Sequence, residues 1–236
     1  MKIIFEIYYH TRWGESLFLS GGIDELGANE ENRAVMMDYQ GDGLWKYTME
    51  LPASAKKFHY EYLVKSGEGI RREWGSPHSF SPGRNAGKYR LVDRWRDVPA
   101  NLPFYSSAFI QGIFFRQHAD SVVETIEQGT FTVKVDAPQL RPDERLVMVG
   151  DCPELGDWDV LKAPLLNDSA FPEWQITLDG RQLKFPFEYK FVIVRTHQRE
   201  VVAWETGENR ICREKPQNPS EAVVVSGLRF NGSESQ

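Results

Sequence analysis

One signature occurs twice in this chain at a fixed spacing, and that repetition limits the possible folds more than any other feature. Residues 149–159, VGDCPELGDWD, leave an apolar strand, turn at Gly150 and end in an acidic-Gly-Asp-Trp loop. Residues 20–30, SGGIDELGANE, carry the same frame: Gly21, Glu25, Leu26 and Gly27 stand 129 positions before Gly150, Glu154, Leu155 and Gly156. The segment 174–178 matches 45–49 at the same offset, which pairs Trp174 with Trp45. Self-similarity at one offset marks a duplicated module. At 236 residues the chain has room for two domains of ordinary size.

Within each copy the apolar residues alternate with period 2, as half-buried strands require. In the first copy this predicts strands over 2–10, 15–20, 44–51, 57–64, 70–74 and 88–95. In 44–51 (LWKYTMEL), Trp45, Tyr47, Met49 and Leu51 share the inward face. In the second copy the prediction is 130–136, 145–149, 174–178, 185–194, 201–204 and 222–230. Phe185, Phe187, Tyr189, Phe191 and Ile193 point inward there, leaving Glu188 and Lys190 outside. About seven short strands in roughly 100 residues give an all-β chain of two tandem antiparallel β-sandwiches with an immunoglobulin-like outline. The expected boundaries are 1–97 for the first sandwich, 98–128 for a packed linker, 129–231 for the second sandwich and 232–236 for a polar tail. A Ser121-x-x-Glu124 capping pattern predicts a short helix over 121–128 in the linker.

Composition narrows the function classes. The net charge is −6, so a phosphate backbone is not the expected partner, since that needs clustered Lys and Arg. No stretch reaches the ~20 apolar residues of a membrane span. The opening MKIIFEIYYH runs straight into a strand without a signal peptide's apolar core, which places the chain in the cytoplasm on this reading. Cys152 and Cys212 form no disulfide framework, and no Cys/His spacing suggests a zinc site. Nucleophile elbows, phosphate loops and paired carboxylates in apolar surroundings are missing too. No catalytic residue, metal or cofactor is expected. What stands out is seven Trp, nine Tyr and fourteen Phe. A Trp on a Gly/Asp-rich turn, such as Trp158, resists full burial because the loop backbone needs polar partners. Sugars offer flat C–H faces and a hydroxyl rim, so exposed rings with nearby donors and acceptors suit them.

The motifs ELGDW, FEYKF and WETGENR of the second copy, in this order on this strand plan, resemble starch-binding domains of carbohydrate-binding module family 20. The first copy resembles the family through TRWGESLFLSGG, DELG, GLWKYTMELP, HYEY and REW. The resemblance implies two kinds of sugar site. In the second copy the first kind falls on Trp158 and Trp204, flanked by Lys190 and Asn209, with Glu205 adjacent. In the first copy that site reads as broken, with Ala28-Asn29 in the loop, Leu63 in place of the lysine, and only Trp74 kept. The second kind falls on Trp13 and Tyr39 with Asp38 in the first copy, and is absent from the second, where Pro142 and Asn167 or Asp168 occupy those places. Trp45 and Trp174 read as structural.

A tandem of this kind is similar to the N-terminal part of 4-alpha-glucanotransferases of the disproportionating, amylomaltase type. DRWRD at 93–97 and FYSSAF at 104–109 resemble the segment joining the modules in those enzymes. A catalytic barrel needs about 250 residues of its own, so the expected role is non-catalytic binding of α-1,4-glucans (starch, glycogen or maltooligosaccharides), ahead of a C-terminal catalytic domain. The alternative is a protein-interaction tandem that docks a partner chain through the same edges and aromatic patches.

Overall fold

The alternating segments become strands, and within each unit the strands form two sheets. A computed structural model describes residues 1–83, 87–97, 125–137 and 140–232. They divide into two units, Met1–Gln128 and Gly129–Gln236. The expected linker lies largely outside the described residues. Of the helix expected over 121–128, residues 125–128 are described and not helical: Ile126 is buried and bridges Pro82.

Unit 1 contains β1 (Lys2–Tyr8), β2 (Ser16–Gly21), β3 (Val35–Met36), β4 (Asp38–Gly41), β5 (Leu44–Glu50), β6 (Phe58–Ser66), β7 (Gly69–Arg72), β8 (His78–Phe80) and β9 (Lys88–Arg94). One sheet runs β9-β1-β5-β4; the other runs β3-β2-β6-β7, with β8 also paired to β6. The first and last strands, β1 and β9, pair in parallel, an exception to the antiparallel plan. Aromatic rings join the two sheets. Phe5 of β1 meets Tyr60 of β6 at 5.0 Å, and Phe80 of β8 meets Tyr89 of β9 at 5.2 Å.

A charged cluster lies inside this apolar unit, and the sequence pattern gave no sign of it. The Tyr60 and Tyr62 hydroxyls both donate to Asp93 (2.9 and 2.6 Å). His78 stacks on Tyr60 and sits 3.0 Å from Glu73, which also accepts from Arg96 at 3.1 Å. Burying charge is tolerable only when each group is paired, as here.

Unit 2 repeats the plan with β10 (Thr130–Asp136), β11 (Glu144–Gly150), β12 (Asn167–Ala170), β13 (Glu173–Asp179), β14 (Phe187–Arg195), β15 (Val201–Trp204), β16 (Arg210–Cys212) and β17 (Ala222–Arg229). One sheet runs β12-β13-β10-β17, again with its terminal strands β10 and β17 parallel; the other runs β11-β14-β15, with β16 beside β14. Phe131, Phe187, Tyr189 and Phe191 fill the space between the sheets. Trp45 and Trp174 are both buried. The outer face of β14 departs from the expected pattern, because Val192 and Val194 are as buried as the inward residues. The cause is the loop after β11, which folds back over that face.

Candidate functional site

That loop starts at Gly150, where a Cβ would come within 2.4 Å of the Glu188 carbonyl oxygen. A 3-10 turn over Pro153–Leu155 follows, with Leu155 buried as its anchor. Gly156, Asp157 and Trp158 then adopt φ of 82°, 50° and 64°. Left-handed backbone is costly for residues with a Cβ and persists only where surroundings fix it. Here Asp157 N donates to Cys152 O (3.1 Å) and Trp158 N to Gly150 O (2.7 Å). The turn presses the Trp158 side chain onto the outer face of the sheet, against the cluster of Val147, Val149, Ala163, Val192 and Val194. The ring is partly buried, neither free nor core.

Trp204 reaches the same face by a different route. It pairs directly with Val192 across β14 and β15, and directly opposed residues of an antiparallel pair project to one side. It remains 41% exposed. Lys190 precedes Val192 by two residues and shares that side. Its Nζ donates to the carbonyl oxygens of Gly207 (2.6 Å) and Glu205 (3.3 Å), pinning the turn after Trp204. Asn209, exposed, donates from Nδ2 to Glu188 Oε2 at 2.9 Å. Trp158, Trp204, Lys190 and Asn209 therefore gather on one face of unit 2: two ring faces with a polar rim.

Glu205 does not join them. Alternation turns it inward, where its side chain is 1% exposed and its carboxylate accepts from Phe191 N (2.9 Å) and from Arg210 in a bidentate pair. Only its main-chain carbonyl serves the surface, through Lys190. The position is a structural brace.

Unit 1 keeps the backbone of this site and exchanges its side chains. Gly27, Ala28 and Asn29 repeat the left-handed run at 86°, 52° and 64°, and Asn29 N donates to Gly21 O at 2.7 Å as Trp158 N does to Gly150 O. Asn29 thus occupies the Trp158 place. Strand register corrects two assignments. Tyr60 opposes Gly21 as Tyr189 opposes Gly150, so the residue at the Lys190 place is Glu61, not Leu63. Leu63 opposes Arg72 as Val192 opposes Trp204, so Arg72 stands where Trp204 does and Trp74 lies two residues beyond. Glu73 confirms the frame: it accepts from Tyr62 N at 3.2 Å, as Glu205 does from Phe191 N. Arg72 forms ion pairs with both Glu61 and Glu31. Charge pairing replaces the two rings.

The other aromatic pair of unit 1 lies at the β1–β2 and β4–β5 turns. Trp13, on the loop after β1, is fully exposed. Tyr39, 57% exposed on edge strand β4, tilts against Trp45 at 5.1 Å, and its hydroxyl accepts from Gly43 N at 3.2 Å. Gly43 O in turn accepts from Tyr9 N (2.8 Å), and the Gly43 backbone lies so close to His10 that a Cβ would sit 2.8 Å from its ring. The Tyr39 hairpin therefore abuts the start of the Trp13 loop. Asp38 is exposed beside Tyr39. In unit 2, Pro142 and Asp168 leave no ring at either place.

Each β-sandwich carries exposed rings at defined surface positions, Trp13 and Tyr39 in unit 1 and Trp204 in unit 2. The family model for the starch binding domain matches residues 1–85 and again 128–223, and the chain belongs to that family. It is similar to 4-alpha-glucanotransferase DPE2 of Oryza sativa subsp. japonica, 26% identical over 233 residues, covering 89% of this chain and 24% of the relative. It is also similar to AA13 family lytic polysaccharide monooxygenase A of Aspergillus terreus (strain NIH 2624 / FGSC A1156), 32% identical over 73 residues, covering 29% of this chain and 18% of that protein. The chain thus spans a quarter or less of the length of these curated relatives. Among solved structures, the family 20 carbohydrate-binding module of the maltotetraose-forming amylase from Pseudomonas saccharophila STB07 aligns at 20% identity and a TM-score of 0.33, over 41% of this chain and 99% of its own.

Because Lys190 holds the turn after Trp204 as well as lining the face, Lys190→Ala is expected to weaken ligand binding at unit 2 by about 0.5–1.5 kcal/mol, the scale of an exposed hydrogen bond. It should also loosen residues 205–209, a change that amide exchange would register.

Proposed function

We propose that the chain binds α-1,4-glucans without acting on them, through two sites of different construction. Unit 2 stacks sugar faces on Trp158 and Trp204, with Lys190 and Asn209 at the rim. Unit 1 uses Trp13 and Tyr39, with Asp38 beside them. The observation that carries this reading is the grouping of two partly exposed indoles with a lysine and an asparagine on one face of a starch-binding-domain family member. By its likeness to the rice glucanotransferase, we read the tandem as the non-catalytic glucan-targeting region of a 4-alpha-glucanotransferase in the cytoplasm. A second reading, docking of a partner chain, draws on the exposed aliphatics Leu161, Leu165, Val201 and Val202. Isothermal titration with maltoheptaose separates the two. Heat that saturates with a Kd in the micromolar to millimolar range, a binding free energy of about −4 to −8 kcal/mol, supports glucan binding; no heat at millimolar ligand abandons it.

Two weak sites on one chain raise the effective concentration for the second event when one glucan reaches both. Long amylose is therefore expected to bind the intact chain about tenfold or more tightly than it binds Trp13→Ala/Tyr39→Ala or Trp204→Ala, while maltotriose shows no such excess. Equal amylose affinity for the intact chain and its better variant would contradict the avidity.

A further inference from the structure

Trp13 is fully exposed, so no neighbouring wall holds its ring in place. Only the loop backbone can, and both stems of that loop end on one side chain. Arg71 of β7 donates from Nη1 to the Tyr9 hydroxyl (2.6 Å) and from Nη2 to Glu15 Oε1 (3.3 Å). Tyr9 enters the loop and Glu15 leaves it. The second Glu15 oxygen accepts from Arg12 N at 2.8 Å, and Glu15 N donates to Arg12 O at 3.0 Å, closing the turn next to Trp13. The guanidinium also sits over two rings, with Cζ 5.6 Å from the Tyr9 centroid and 5.5 Å from that of Trp95. Those rings meet each other at 4.6 Å, and Trp95 is fixed by its own Nε1 bond to Asp97 at 3.0 Å. A planar fork can hold two partners and stack at once, which a lysine cannot.

We propose that Arg71, backed by Tyr9 and Trp95, is a positioning residue for the unit 1 glucan site, holding the Trp13 loop in its binding shape before ligand arrives. The proposal rests on the reading of Trp13 and Tyr39 as a glucan site. Ordering a loop ahead of binding removes an entropic cost that the ligand would otherwise have to meet. An isolated surface ion pair would contribute little; here the same guanidinium ties together both stems of the Trp13 loop.

The test uses the full chain labelled with 5-fluorotryptophan, with the Trp13 resonance assigned by its loss in Trp13→Phe. Titration with β-cyclodextrin then reads unit 1 alone, and the Trp13 linewidth reads loop order without ligand. Arg71→Ala is expected to move the Trp13 midpoint about fivefold to tenfold higher and to narrow its free resonance, with unit 2 tryptophans unchanged. Tyr9→Phe, which removes only a hydroxyl, should shift both in the same direction by less, and carries the test if Arg71→Ala does not fold. Arg71→Lys should fall between Arg71→Ala and the unaltered chain. A Trp13 resonance that responds to ligand with the same midpoint in Arg71→Ala and Tyr9→Phe overturns the clamp alone. A Trp13 resonance that ignores saturating ligand in the unaltered chain overturns the glucan reading of this loop, and the clamp with it.

Discussion

Trp204→Ala is expected to weaken glucan binding at unit 2 by about 1–3 kcal/mol, the scale for truncating an interface aromatic. That corresponds to a rise in Kd of about 5- to 150-fold. Trp204 is 41% exposed on the edge strand β15, so the melting temperature should hardly move. Trp158→Ala should cost binding on the same scale, with a second effect. The side chain packs against the cluster of Val147, Val149, Ala163, Val192 and Val194, and removing it uncovers apolar surface. A Gly/Asp-rich turn by itself gives no reason for Trp158→Ala to change stability, but partial burial does, and a loss of about 1–3 kcal/mol follows. Trp204→Ala is the cleaner probe. Unchanged titration by Trp204→Ala, with unit 2 folded, would remove this face from the binding reading.

The largest stability effect is expected in unit 1, at Glu73→Ala. Burial alone would raise the Glu73 carboxyl, but His78 and Arg96 outweigh it and hold it down at about 2. Burial would likewise disfavour the His78 cation, yet Glu73 and Asp93 beside it raise its value above the ordinary one. Removing the carboxylate leaves two buried cationic groups short of a partner and the Tyr62 amide without its acceptor. Breaking one side of a buried pair costs about 3–5 kcal/mol, a large share of the 5–15 kcal/mol of a typical domain. Glu73→Gln, which retains an acceptor, should cost less. The pH dependence has two limbs. The Glu73 contribution is complete above its ordinary value of 4.5 and is lost as pH falls toward 2. The His78 contribution is complete below 6.5 and is lost as pH rises through its raised folded value. Denaturant midpoints of unit 1 should therefore peak between 4.5 and 6.5, and the acid limb should vanish in Glu73→Ala. A midpoint shift worth less than about 1 kcal/mol would show that the cluster does not brace the fold.

Long alternating segments made the main strands legible. Residues 130–136 are a strand over the expected span, and 44–51 and 88–95 each lose one terminal residue. The short edge strands β3, β4, β8, β12 and β16 run two to four residues, too few to display a period. The constant offset was legible and, followed strictly, points to Glu61 as the counterpart of Lys190. It fails at β7, because the hairpin after β14 is three residues longer than that after β6 and moves the offset to 132. Loops absorb such insertions at little cost, so sequence distance stops tracking spatial position there, and the Trp204 place falls to Arg72 rather than Trp74. Glu205 was readable in principle, since a strand with Trp204 outward turns the next residue inward. The burial of Val192 and Val194 was not, because it depends on a loop folding back over the sheet. Nor was the buried cluster around Glu73, whose members come from four separate segments.

The proposed α-glucan site is the face shared by Trp158 and Trp204. The most direct measurement is a crystal structure of the chain with β-cyclodextrin. A ring of glucose units is expected to lie against both indoles, within hydrogen-bond reach of Lys190 and Asn209. Cyclodextrin bound elsewhere on unit 2, with this face empty and free of lattice neighbours, would contradict it.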